Sequence, residues 1–410
     1  MRSTFASLIL SLVAVSSAYR LPFRRGSSHS TSFNFTNVNA ADNRDIYVGT
    51  IYVGGQPYEV QLDTGSSDLW LDTEGVTLSG FTNTSVTGYI GYGDGTVATG
   101  PILVGSVDFG NFTVSKQAFI SAPGSNATTS GDTGLLGVGP PALSNILTVL
   151  ELENSSYSGA SFIDNIFMTY PKEPNFITFQ LSRDPELAVT SGGVFTIGEV
   201  GSGLKAVQKA PELKVVEVNN AIPYWTTPMD GMVVNGKNYS GHSVFNSSLV
   251  GSSQTLALLD TGNSLGSLPT YYANALYGSI PGANLTNGTW VVPCGGKVNV
   301  SFVFGGQTFP VHPLDVAYVA GTDDNGNAMC VGAFSGADVT TDSPNDVALG
   351  DSFLRNVYSL YDYGKWVTAG STAPFIQLLS TTDPAKAWAE FDSLNTVRIN
   401  AYLAIYGKGG

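Results

Sequence analysis

Leu62-Asp63-Thr64-Gly65-Ser66-Ser67 and, 197 residues on, Leu259-Asp260-Thr261-Gly262-Asn263-Ser264 are the tracts that decide how this chain is read. Each closes an apolar, strand-like run: Tyr58 to Leu62 in the first case, Leu256 to Leu259 in the second. A single Asp-Thr-Gly carries little weight, because turns favour those residue types anyway. The second copy changes that, and so does a further pair. Leu135-Leu136-Gly137 ends 74 residues after Asp63, and Ala348-Leu349-Gly350 ends 90 residues after Asp260. Each half therefore holds an apolar strand, Asp-Thr-Gly-polar-Ser, a run of strands, and two apolar residues before a glycine. This is an internal duplication of about 170 residues per copy, with its boundary expected near Asn219 to Pro223.

A duplicated aspartate loop brings two carboxylates together where two lobes meet. Gly65 and Gly262 let each chain turn sharply and let the loops approach. Thr64 and Thr261 can each donate a hydroxyl hydrogen bond to the opposite loop. Ser66 can donate to the outer oxygen of Asp63, and Asn263 is expected to donate its amide to the outer oxygen of Asp260. Two carboxylates about 3 Å apart cannot both ionise freely, so they share a proton. A water between them can lose a proton to the ionised partner while the protonated partner polarises a peptide carbonyl. Such chemistry calls for no metal and no cofactor. With three His and two Cys, the chain also lacks the ligands for a Cys/His zinc centre.

Outside these tracts the composition favours short strands joined by turns. Charged residues are 12% of the chain, too few for a helical bundle with charged faces, while Gly reaches 48 and Pro 20. The net charge is −14. Four of the eighteen Lys and Arg lie in the first 25 positions, so the remainder sets 14 cations against 32 acids, a balance of −18. That sign speaks against a nucleic-acid partner or an anionic membrane. Residues 1–18 read as a secretory signal: Arg2, the apolar run Phe5 to Val15, then Ser16-Ser17-Ala18. The apolar run is too short to span a bilayer. Residues 19–43 read as a short pro-segment or linker with Arg24-Arg25 as a processing site. Ten Asn-x-Ser/Thr sequons suit a glycosylated, secreted protein: Asn34, Asn83, Asn111, Asn126, Asn154, Asn238, Asn246, Asn284, Asn287 and Asn299. The tail Tyr-Gly-Lys-Gly-Gly has no apolar end of the lipid-anchor type, so a soluble product without a membrane anchor is expected. In an oxidising compartment Cys294 and Cys330 are most simply a disulfide, worth roughly 4 kcal/mol on the chain-entropy estimate. Two unpaired buried thiols are the alternative. Short helices are expected over 140–153 and 270–279, with another from Asp383 to Leu394 opened by Asp-Pro.

Over roughly residues 44–380 the chain resembles the pepsin-like aspartic endopeptidases, closest in style to the secreted fungal, polyporopepsin-like members. The resemblance rests on Asp63 through Trp70, on Tyr92-Gly93-Asp94-Gly95-Thr96, on Gly192 through Gly198, on Tyr224-Trp225, and on Leu349 through Arg355. It implies an all-β, two-lobed fold with pseudo-twofold related lobes and a central cleft for an extended peptide. The first lobe would run over 44–220, the second over 221–380, and 381–410 would be a C-terminal extension. The resemblance implies that Tyr92 caps the cleft from a mobile hairpin, with Trp70 beneath it and bonded to it. Gly91 and Gly93 suit a hairpin that opens and closes. Gly65, Gly262 and Asp94 would offer backbone groups to the substrate, and Gln61 would face a substrate pocket. The family's second-lobe disulfide falls on Cys294 and Cys330. A monomer, made as a zymogen and acting on protein or peptide substrates, is implied. Three features depart from the pattern. Asn263 stands where Thr or Ser is usual, the stretch from Trp70 to Tyr92 lacks the first-lobe disulfide, and the pro-segment is brief, with Arg20, Arg24 and Arg25 its only cations.

Two other classes share features with this sequence. Gly262-Asn263-Ser264-Leu265-Gly266 matches the Gly-x-Ser-x-Gly elbow of serine hydrolases. No Asp or Glu, however, lies between Ser264 and His312, the only later His. A non-catalytic binding protein of the same fold is the second alternative. Such a protein would be expected to have lost an aspartate or the flap tyrosine, and this chain keeps both aspartates and Tyr92.

Overall fold

The computed structural model describes residues 31–39, 45–128, 131–185, 190–216, 224–245, 248, 250–339, 345–367 and 370–407. The signal sequence, the arginines at 20, 24 and 25, the lobe boundary at 219–223 and the sequon at Asn246 lie outside the described residues.

Strands carry the fold. Asp45–Val53 pairs antiparallel with Gln56–Asp63 in a hairpin, whose turn residues Gly54 and Gly55 have φ of 60° and 80°. Burial alternates along the first of these strands: Ile51 and Val53 are fully buried while Tyr52 between them is exposed. Gln56–Asp63 then lies parallel to Gly134–Gly137, with Leu62 opposite Leu136 and Asp63 opposite Gly137. Leu69–Leu71 runs antiparallel on the far side of Gly134–Gly137.

The second lobe repeats this arrangement. Thr255–Leu259, buried at every position, lies parallel to Val347–Leu349, and Gly266–Pro269 runs antiparallel beyond it. Continuous apolar runs are what a parallel strand buried on both faces requires. The repeated pair of apolar residues before a glycine thus turns out to be the neighbour of the aspartate strand in each lobe. The glycine has a steric reason: a Cβ at Gly137 would meet the backbone N of Asp68 at 2.6 Å, and one at Gly350 would run into the carbonyl of Asn263.

A shared sheet joins the halves. Phe176–Leu181 pairs with Thr190–Ile197 and with Val357–Asp362, and the latter pairs with Phe375–Ser380. Thr31–Asn39 adds to it, paired with Thr190–Ile197 on one side and Asp45–Val53 on the other. This strand lies within the stretch 19–43 that the sequence reads as a short pro-segment or linker. Phe33 and Phe35 alternate with polar residues at period two, a strand signal hidden in a polar-looking stretch.

Five α-helices occur among the described residues: α1 Asn145–Leu152, α2 Phe162–Thr169, α3 Thr270–Tyr277, α4 Asp351–Leu354 and α5 Pro384–Tyr406. Sequence reading anticipated α1, α3 and the start of α5, and missed α2 and α4. Asp383 caps α5 by accepting from the N–H groups of Ala385 and Lys386. The helix then outruns its expected end at Leu394. Asn395 donates to the carbonyl of Cys294 at 3.0 Å, and Arg398 donates to those of Leu314 and Ala317 at 2.8 and 2.6 Å. With Ala387, Phe391 and Tyr402 buried beside them, the extension is docked onto the second lobe. Cys294 and Cys330 form the disulfide, S–S 2.03 Å.

Candidate active site

The two aspartate loops are locked to each other by four hydrogen bonds. Thr64 N–H donates to Thr261 Oγ1 and Thr261 N–H to Thr64 Oγ1, both at 3.0 Å. Each hydroxyl donates onward to the strand preceding the opposite aspartate: Thr64 to the carbonyl of Leu259 at 3.0 Å and Thr261 to that of Leu62 at 2.8 Å. Both threonines are fully buried, so every one of these bonds is made away from water. This is the cross-loop donation expected from the sequence, in both directions.

The lock faces the carboxyl groups toward each other. A Cβ on Gly65 would lie 2.6 Å from Asp260 Oδ1, and one on Gly262 would overlap Asp63 Oδ1. Glycine is required here because the opposite carboxylate occupies the side-chain position. Asp63 Oδ1 accepts from Gly65 N–H at 2.6 Å and its Oδ2 from the Ser66 hydroxyl at 2.5 Å. Asp260 Oδ1 accepts from Gly262 N–H at 2.9 Å. Burial, then the neighbouring charge of Asp63 and a hydrogen bond with it, raise the Asp260 pKa well above the ordinary carboxylate value. One member of the pair therefore holds a proton far more tightly than an isolated aspartate would.

Asn263 departs from expectation. Its amide oxygen accepts from Leu265 N–H at 3.0 Å, and the donation to Asp260 anticipated from sequence is not made. An Asn two residues before a free N–H forms this local turn readily. Gln61 is buried, and its amide donates to the carbonyl of Gly262 at 3.3 Å, tying the first-lobe strand to the second-lobe loop.

The strands Thr82–Gly91 and Val97–Phe109 form a hairpin whose tip carries Tyr92, Gly93 and Asp94. Trp70, fully buried, donates its indole N–H to the Tyr92 hydroxyl at 2.6 Å. Burial and the nearby charge of Asp63 raise the Tyr92 pKa, so this phenol stays neutral over the dyad. Gly93 and Asp94 are exposed. Asp94 accepts from the N–H and hydroxyl of Thr96 at 2.9 and 2.7 Å, and Gly95 completes the turn at φ 86°.

Several contributors escaped sequence reading. Tyr224 feels the charges of both Asp260 and Asp63, and burial first and those charges second raise its pKa. Ser125 and Asn126 grip the returning flap strand at the carbonyl and N–H of Val97. Asp68 is buried behind the first loop, where it accepts from Ser144 Oγ at 2.5 Å and Asn145 N–H at 2.7 Å at the start of α1. Phe81 closes the stretch that lacks a disulfide. It packs edge-on against Phe119 at 5.4 Å and fills the space over Gly54 and Gly105. The serine-hydrolase partner His312 is spent elsewhere: its Nδ1 accepts from Leu314 N–H, and its Nε2 lies 3.4 Å from Glu390 of α5. No group of three or more His, Cys, Asp or Glu able to hold a metal occurs among the described residues.

Comparison with known proteins gives a consistent picture. A family profile described as eukaryotic aspartyl protease matches residues 46–369. An aspartic protease of Phaffia rhodozyma is 30% identical over 342 residues, covering 78% of this chain and 74% of that protein. Pepsin A of Bos taurus is 28% identical over 341 residues, covering 78% and 82%. Among solved structures, the aspartic proteinase from Irpex lacteus superposes with a TM-score of 0.63 at 21% identity, over 86% of this chain and 98% of that one. This last likeness bears on the fold.

Proposed function

The chain belongs to the eukaryotic aspartyl protease family and is an aspartic endopeptidase acting on proteins or peptides, and we propose that its chemistry is a water activated between Asp63 and Asp260 at acid pH. The observation that carries the reading is the reciprocal Thr64–Thr261 lock, which leaves each carboxyl against the glycine of the opposite loop. Asp63, already accepting from Gly65 N–H and Ser66, serves as the carboxylate; Asp260, buried beside it, carries the shared proton. Asp63 takes a proton from the water as its oxygen attacks the scissile carbonyl carbon. Asp260 gives its proton to the carbonyl oxygen, and a neutral tetrahedral diol forms. On collapse, the proton on Asp63 passes to the amide nitrogen and the C–N bond breaks. One diol hydroxyl returns a proton to Asp260, restoring the singly protonated pair. Tyr92 closes over the substrate, and the exposed backbone of Gly93 and Asp94 pairs with an extended peptide.

We further propose that the protein is secreted behind the 1–18 signal, glycosylated at exposed sequons, and monomeric. The relatives support proteolysis, and no helix among the described residues is long and apolar enough to cross a membrane. The test is degradation of casein at about pH 4 with and without pepstatin. Activity that pepstatin abolishes supports the two-aspartate reading; pepstatin-resistant activity overturns it.

A further inference from the structure

The two aspartate loops differ in one hydrogen bond, and the difference falls on the reacting groups. In the first loop, Ser66 Oγ reaches Asp63 Oδ2 at 2.5 Å. In the second, Asn263 holds the corresponding place and makes three bonds, none to the Asp260 carboxyl. Its N–H donates to the backbone carbonyl of Asp260 at 3.3 Å, its carbonyl accepts from Asp351 N–H at 2.7 Å, and its amide oxygen accepts from Leu265 N–H. The Asp260 carboxyl receives N–H groups from Gly262 and Gly65 and shares a hydrogen bond with Asp63.

We propose that Asn263 is a positioning residue that sets the upper pH limit of the reaction: by turning its side chain to Leu265 it withholds a donor from Asp260, which then keeps its proton to higher pH than a hydroxyl at position 263 would allow. This deepens the proposed mechanism and rests on it. A donor aimed at a carboxylate stabilises the charged form. In the singly protonated pair the proton sits on Asp260, so a new donor there acts on the loss of that proton, the step that ends activity on the alkaline side.

The surroundings of Asp260 leave few competing titrations. Asp63 faces it from the first loop. Tyr224 faces it from the segment before Trp225 and Tyr361 from the strand Val357–Asp362, and burial raises the pKa of both phenols so that they stay neutral. Asp351 of α4 lies behind Asn263. All are unchanged by substitution at 263, so a shift between variants reports the donor.

The experiment measures kcat/KM against pH on one peptide substrate for the wild-type enzyme, Asn263→Thr, Asn263→Ser and Asn263→Ala, each first checked for a native thermal transition. The hydroxyl variants should move the alkaline limb down by about one pH unit, with kcat/KM at the optimum changed by less than about tenfold. Asn263→Ala, which removes the Leu265 contact and supplies no donor, should leave that limb in place. A limb unmoved by Thr and by Ser, or moved equally by Ala, overturns the proposal while the two-aspartate reading stands. A wild-type enzyme active but insensitive to pepstatin overturns the reading itself. Should the Thr variant fail to fold, the smaller Ser supplies the same donor and decides.

Discussion

The two lobes hold matched aspartate loops by different means. Around Asp63 the first lobe has no covalent tie. Phe81 packed over two glycines closes the stretch between Trp70 and Tyr92, and its flap tip is exposed apart from the Trp70–Tyr92 bond. The second lobe is fastened repeatedly. The Cys294–Cys330 disulfide, helix α5 bonded to the carbonyls of Cys294, Leu314 and Ala317, and a buried charge cluster all hold it. In that cluster Asp315 accepts from Arg183, from Arg355 Nε at 2.9 Å and from Asn356 at 2.8 Å. Arg183 follows the strand Phe176–Leu181 of the first half, so the cluster also ties the halves together. On the proposed mechanism the division has a physical sense: the lobe whose hairpin is to close over substrate keeps few fastenings near it.

The largest effect expected tests what the lobes share. Asp63→Asn and Asp260→Asn should each reduce hydrolysis to below a few per cent of wild type, because each carboxyl is needed in a different protonation state. Stability should respond differently. The raised pKa of Asp260 means the folded state binds a proton more tightly than the unfolded chain, so the wild type loses stability as pH rises above about 4. Asp260→Asn removes that loss, and its Tm advantage should grow between about pH 4 and pH 7. A variant less stable than wild type throughout that range would contradict the buried-pair account.

Removing α5 comes next. A chain ending at residue 381 exposes the surface that Phe391 and Tyr402 cover and frees the carbonyls held by Asn395 and Arg398. Phe391→Ala alone should cost about 3–5 kcal/mol. The truncated enzyme should show a lower first thermal transition and rapid proteolysis within 221–380. Unaltered melting would make the helix a mere appendage.

Asp315→Asn probes the cluster. Burial acts to raise the Asp315 pKa, but Arg183 and Arg355 outweigh it and hold the carboxyl well below the usual range. Its stabilisation is therefore present at all pH above the unfolded carboxylate value and fades only as pH falls through the lowered folded one. The substitution should cost about 3 kcal/mol, constant from pH 7 to about pH 4 and shrinking below. A cost already lost at pH 5 would mean that the arginines do not hold the charge.

Tyr92→Phe should have the smallest effect. It removes the acceptor for the Trp70 indole at the flap. With the core untouched, Tm should stay within about 2 °C, while kcat/KM falls about tenfold, or roughly 1.4 kcal/mol. A loss of stability instead would assign the bond to the first-lobe core.

Much of the site was legible because it is repeated. The tracts at 63–67 and 260–264 are each short, but their recurrence with matching downstream glycines singles out the two aspartates that the fold brings together. Tyr92 and Trp70 were legible only through their resemblance to a known pattern, because an aromatic on a strand usually packs a core. The partner of Asn263 was misread because its amide had two plausible partners within reach, and sequence ranks neither. The strand at Thr31–Asn39 was passed over because its polar composition outweighed its period-two pattern.

The sequence by itself determined the all-β duplication, the pair of aspartates, the glycines that let them meet and the cysteines that pair, because these follow from covalent order, residue size and the chemistry of turns. Only the tertiary structure decided which hydrogen bond each polar side chain completes: Asn263 to Leu265, Gln61 to Gly262, Arg398 to the carbonyls beneath α5. A single side-chain hydrogen bond is worth about 1 kcal/mol net. That is small enough for a few tenths of an ångström in the placement of a neighbouring loop to choose among partners, and that placement is set by packing across the whole molecule.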